Sequence, residues 1–141
     1  MYRELLVAID LSADSEAIAR RSLALAAGWG ASVRLLHVVG FMPVEPMGES
    51  LVPVAHIDDR VVDEARRELG ELAARLGVPD ERAQVVVGAV KVEILRAARE
   101  QHCDLIVLGA RERHGLSILL NRTEDTVLHG AGCDVLALRV H

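Results

Sequence analysis

"AQVVVGAVKVEILRAAREQHCDLIVLG", residues 83–109, contains a complete strand–helix–strand unit. The run 83–88 is nearly all apolar, as is 104–109, whereas 92–102 reads as a helix. Two short strands that are apolar at successive positions, not alternating ones, belong to a sheet covered on both faces. The joints are too short for anything but a direct crossover. The same grammar extends outward in both directions. "RELLVAID" (3–10) is a first strand with Asp10 at its carboxyl end, and "SVRLLHVV" (32–39) is a second. "DVLALRV" (134–140) is the last. Alternation of strands and helices predicts a parallel α/β sheet with right-handed crossovers.

The helices are punctuated. Ser12 is positioned to cap helix one, with Asp14 and Glu16 in its first turn and Gly28 as its stop. Helix two, in 58–77, carries a stripe of Val61, Val62, Ala65, Leu69, Leu72, Ala73 and Leu76 and ends at Gly77. A last helix is expected around 121–130. Residues 40–57 hold three of the four prolines, two glycines and two methionines, and read as a long loop that could serve as a flap.

At 141 residues, 51% of them hydrophobic, the chain suits one domain over 1–141. A net charge of −5 disfavours a nucleic-acid or membrane-surface partner, which would call for a dense basic face. The expected partner is a small molecule or a protein. No apolar stretch approaches the roughly 20 residues of a bilayer span, and Arg3 and Glu4 disfavour a secretory leader, so a cytoplasmic location is expected. Cys103 and Cys133, each opening a Cys-Asp pair, should lie at the amino ends of neighbouring strands as reduced, buried thiols. The six histidines have no metal-ligand spacing, so no metal site is expected. His37, flanked by apolar residues, reads as a core histidine. No nucleophile elbow or P-loop occurs, and no catalytic residue is predicted.

In a doubly wound sheet, ligands bind beyond the carboxyl ends of the strands where the strand order reverses. Asp10, Val38, Val39 and Gly109 are candidates by that position. Asp10 could meet a ribose hydroxyl or simply hydrogen-bond the following turn.

The segments "LLVAIDLSADSEAIARRSLALA", "VRLLHVV", "VVVGAVKVEILRAAREQHCDLIVLGARERHG" and "AGCDVLALRV" together resemble the universal stress protein family along essentially the whole chain. That resemblance implies a doubly wound five-stranded parallel sheet with strand order 3-2-1-4-5 and helices on both faces. It also implies a homodimer paired through strand 134–140, a role in stress tolerance, and the possibility of bound ATP or AMP. The family's nucleotide-pocket positions fall here on Ala8, Ile9, Asp10, Val38, Leu108, Gly109, Glu112, Arg113, Asn121, Arg122 and Thr123.

Nucleotide-binding members follow their fourth strand with G-x2-G-x8 or 9-G-[ST]. Here Gly109 fits the first glycine, but Glu112 replaces the second, Asn121 the third and Arg122 the hydroxyl residue. The Asp10-Leu11-Ser12 step replaces Asp-Gly-Ser. Glycine in such a loop lets backbone amides approach a phosphate, and a Cβ obstructs that. A carboxylate at Glu112, about 4 Å from a phosphate charge, would cost on the order of 4 kcal/mol near a protein surface. Asn121 and Glu124 have capping-box spacing, so side chains can satisfy the helix amides that an anion would use, and Glu124 and Asp125 oppose the helix dipole. The expectation is a stress-response regulatory or protective module without tight ATP binding and with no required cofactor. The competing reading is an ATP- or AMP-dependent switch or weak ATPase whose Arg111, Arg113 and Arg122 grip the anion by guanidinium groups. Gly109 is expected to remain because the strand turns there.

Overall fold

Apolar side chains on both faces of β1 (Glu4–Ala8) decide the layering: Leu5 and Val7 enter one core, Leu6 and Ala8 the other. The computed structural model describes residues 1–40, 58–111, 127 and 129–140. The remaining strands are β2 (Ser32–Gly40), β3 (Ala83–Gly88), β4 (Leu105–Arg111) and β5 (Asp134–Val140). All pairings are parallel, in the order β3-β2-β1-β4-β5. The expected architecture is therefore present. Since β1 lies between β2 and β4, the chain reverses its direction of growth beside β1, which makes the β1/β4 boundary the switch point.

Helices α1 (Ser15–Trp29) and α2 (Asp59–Leu76) cover one face, with Ile18, Ala19, Leu69 and Leu72 packed on Leu5, Val7, Leu35 and Val107. Helix α3 (Val90–Glu100) covers the other, where Ile94, Ala98 and Val127 pack on Leu6, Leu36, Ile106 and Leu108. Burial of one such aliphatic side chain contributes about 1.5–3 kcal/mol, and both cores draw on the same three central strands. Of the expected helix around 121–130, residues 127, 129 and 130 are described and helical, and the rest lies outside the described residues, as does 41–57.

Several boundaries differ from the sequence reading for identifiable reasons. Helix α1 does not stop at Gly28 but runs to Trp29, with Gly30 in the left-handed region (φ 67°). The Gly30 and Ala31 amides close the turn on Ala27 and Ala26 carbonyls. Ser12 does not cap α1 either. Its carbonyl accepts from Ser15 N–H in a turn that delays the helix to Ser15. Val61 leaves the expected apolar stripe of α2 and is 53% exposed. Asp58 and Gly77 do end α2 as anticipated, the former accepting from Arg60 N–H. Helix α3 starts at Val90 and stops at Glu100, two residues earlier at each end than expected, and His102 takes a left-handed φ of 53°.

Gly109 requires a correction of substance. Strand β4 does not turn there: it continues through Arg111, with Gly109 in register with Leu138 of β5. Nor is its φ positive. A Cβ at Gly109 would stand 2.2 Å from Ile18 Cδ1, so the residue is glycine because α1 lies too close to β4 for any side chain.

Candidate ligand cavity at the switch point

Beyond the carboxyl ends of β1, β2 and β4 lies a cavity of about 380 Å³. Ala8, Ile9 and Asp10 form its β1 wall, Leu36, His37 and Val38 its β2 wall, and Leu108 and Gly109 its β4 wall. Ser15 and Ile18 of α1 and Val90 and Ile94 of α3 close the sides. The lining is mostly aliphatic with three polar side chains, Asp10, Ser15 and His37, a composition suited to a flat apolar group with few polar edges. Its volume falls in the lower part of the roughly 300–1,000 Å³ range of small-molecule sites.

The β1–α1 connection is built around the Asp10 carboxylate. Its Oδ1 accepts from Ser12 N–H (3.0 Å) and from the buried Ser15 hydroxyl (3.0 Å). Leu11 between them has φ 58°, a left-handed conformation costing about 1–2 kcal/mol for a residue with a Cβ, which the two bonds to Asp10 offset. Asp10 thus organises the turn, the plainer of the two roles its sequence position allowed.

Past the end of β1, Ile9 is held by β2 through both of its backbone groups. Its N–H donates to Leu36 C=O (2.8 Å), and its C=O lies 2.7 Å from His37 Nδ1. A carbonyl only accepts, so Nδ1 carries the proton. His37 is half-buried on the cavity wall and not enclosed in a core, as the sequence reading had it.

Of the sequence-predicted positions, the fold brings Ala8, Ile9, Asp10, Val38, Leu108 and Gly109 together around the cavity. Val39 is buried and does not line it. Glu112, Arg113, Asn121, Arg122 and Thr123 lie outside the described residues. Ser15, Ile18, Leu36, Val90 and Ile94 were not anticipated, because helix walls become visible only when the crossovers fold back over the strand ends. Among the described residues, no three His, Cys, Asp or Glu side chains are grouped to hold a metal ion.

The two thiols sit at the opposite end of the sheet. Cys103 is buried and Cys133 half-buried, both are free, and both border a shallow depression with Tyr2, Asp104 and Asp134. Burial, with the nearby Glu4 carboxylate adding to it, pushes the Cys103 thiol up to about 11. Burial raises Cys133 as well. Tyr2 donates to Asp134 Oδ2 (2.7 Å), and the Asp104 carboxylate accepts from Arg3 N–H (2.9 Å) and Glu4 N–H (3.0 Å), tying the chain start to β4 and β5.

Fold and cavity define a doubly wound α/β protein with a ligand-sized recess at its switch point. Within that class the chain belongs to the universal stress protein family, whose model matches residues 1–139. It is 37% identical to universal stress protein A homolog 1 of Coxiella burnetii, over 97% of this chain and 96% of that one. A second homolog from the same organism is 33% identical over 99% and 96% of the two chains. Among solved structures, a universal stress protein in complex with cAMP superposes with a TM-score of 0.67 at 22% identity, covering 99% of this chain and 98% of its own. Among the described residues, no helix is long and apolar enough to cross a membrane.

Proposed function

We propose that this universal stress protein is a cytoplasmic, homodimeric stress-response module of one domain over 1–141, whose cavity admits a nucleoside but which does not hold ATP tightly. The observation that carries the reading is a mismatch between two halves of one site. The recess for a base and sugar is formed, bounded by Asp10, Val38 and Gly109. The sequence that would grip phosphates has Glu112, Asn121 and Arg122 where glycine, glycine and a hydroxyl are needed. The cAMP complex of a structural neighbour supports a nucleotide-type occupant for such a recess. A cofactor is not required for the fold, and no group in the cavity is assigned a catalytic role.

The dimer reading rests on β5, an edge strand whose Val135, Leu136 and Val140 are partly exposed beside unpaired backbone groups. A second copy pairing along 134–140 would cover them, and a monomeric mass at micromolar concentration would contradict it.

The loop chemistry is tested by Glu112→Gly, Asn121→Gly and Arg122→Ser combined. The triple variant is expected to bind ATP at least about tenfold more tightly than the parent, a difference of 1.4 kcal/mol. Unchanged affinity would show that these three positions do not limit phosphate binding.

A further inference from the structure

His37 has one nitrogen committed and one open. Nδ1–H donates to Ile9 C=O, so in the neutral ring Nε2 carries a lone pair. Among the described residues no partner takes that lone pair, although the ring lines the cavity. The other two polar side chains on the wall are already engaged with each other: the Ser15 hydroxyl points its proton at Asp10 Oδ1. The remainder of the lining consists of aliphatic side chains and Gly109. A ligand that fills this recess therefore meets an apolar wall with one fixed side-chain acceptor, whose polarity cannot reverse without breaking the bond to Ile9 or protonating the ring.

We infer that His37 is a specificity-determining residue of the cavity, selecting through Nε2 for heteroaromatic bases that present an amino N–H over those that present a carbonyl at the same edge. The inference rests on the proposed nucleoside occupancy and extends it to a choice between bases. An amino group donates to Nε2. A carbonyl oxygen there would set two lone pairs against each other and leave both desolvated without a partner, the kind of mismatch that a hydrogen-bonding site rejects most strongly. The Nδ1 bond does the positioning: it fixes both the tautomer and the ring plane, so the acceptor is in place before any ligand arrives.

The probes are adenosine and inosine, which differ in amino against oxo substitution and carry no phosphate, so the loop at 112–123 does not enter. Titration of the full-length protein should give adenosine a preference of about tenfold or more over inosine. His37→Asn keeps an amide N–H at the Nδ1 position for Ile9 and removes the acceptor at Nε2. It should retain the fold and reduce the preference to within about twofold. In the unsubstituted protein, the nitrogen NMR spectrum of His37 should show the Nδ1–H tautomer, with the Nε2 resonance shifting on adenosine and not on a matched amount of inosine. An unchanged preference in His37→Asn, or a static Nε2 resonance at adenosine saturation, would overturn the assignment while leaving nucleoside occupancy intact. Failure of both nucleosides to bind at millimolar concentration would overturn occupancy and the assignment together.

Discussion

Gly109→Ala probes why the family's first glycine is still present. The added Cβ would lie 2.2 Å from Ile18 Cδ1 and 3.5 Å from Cγ1, against an ordinary contact that begins near 3.4 Å. Only the terminal methyl clashes, and it must retreat by about 1 Å or more to reach a normal carbon–carbon separation. A helical isoleucine is stiff at χ1, so the retreat has to come from χ2, and the adjoining open space is the cavity. Overpacking of this kind costs about 1–3 kcal/mol, and the partial escape route places the expectation at about 1–2 kcal/mol. Ile18→Val removes the clashing methyl and alone should cost about 0.5–1.5 kcal/mol. Combined, the two should be less destabilising than their sum by about 1 kcal/mol, because the clash no longer exists. Urea unfolding of the four proteins closes the cycle, with equal m-values expected throughout. Additivity within about 0.3 kcal/mol, or a neutral Gly109→Ala, would refute the packing explanation and return Gly109 to a backbone role.

Other consequences are open to equally direct measurement. Asp104 is drawn upward by partial desolvation, but the Glu4 and Arg3 amides outweigh this and hold its carboxyl below the usual range. A depressed folded value means stabilisation that is present above the unfolded value of about 3.9 and lost as pH falls through the folded one. The stability gap between parent and Asp104→Asn should therefore be widest near neutral pH and shrink in acid, and a pH-independent gap would contradict it. The thiolate is the reactive form of cysteine, so Cys103 at about 11 should label at least tenfold more slowly in the folded protein than in denaturant, as should Cys133 to a smaller extent. Equal rates in both states would remove burial as the controlling factor. Asp10→Ala should cost about 1–2 kcal/mol, since it strips the acceptor from Ser12 N–H and the buried Ser15 hydroxyl, and a neutral substitution would show that the turn holds itself.

Much of the architecture was legible because both faces of the central strands are buried. Leu5 through Val7 and Leu105 through Leu108 have no polar face to alternate with, which marks a parallel sheet covered by helices before any contact is known. The helix ends were less legible. Gly28 and Gly30 are equally good stops on paper, and only the packing of α1 decides which takes the left-handed turn. The start of α1 was displaced by the Asp10-centred turn, a network of side-chain bonds that local propensity does not encode. Half of the cavity could be read from strand ends alone. The other half depends on Ser15, Ile18, Val90 and Ile94, supplied by helices whose approach angle sequence does not specify. His37 was misjudged as core because its neighbours Leu36 and Val38 are buried, whereas its own ring reaches the cavity wall.

Calorimetric titration of the unsubstituted protein with ATP, set beside adenosine, bears most directly on the division between a formed base recess and a degraded phosphate loop. ATP is expected to bind no more tightly than adenosine, with a dissociation constant above about 100 μM, or −5.5 kcal/mol. A dissociation constant for ATP in the low micromolar range or below would contradict the account.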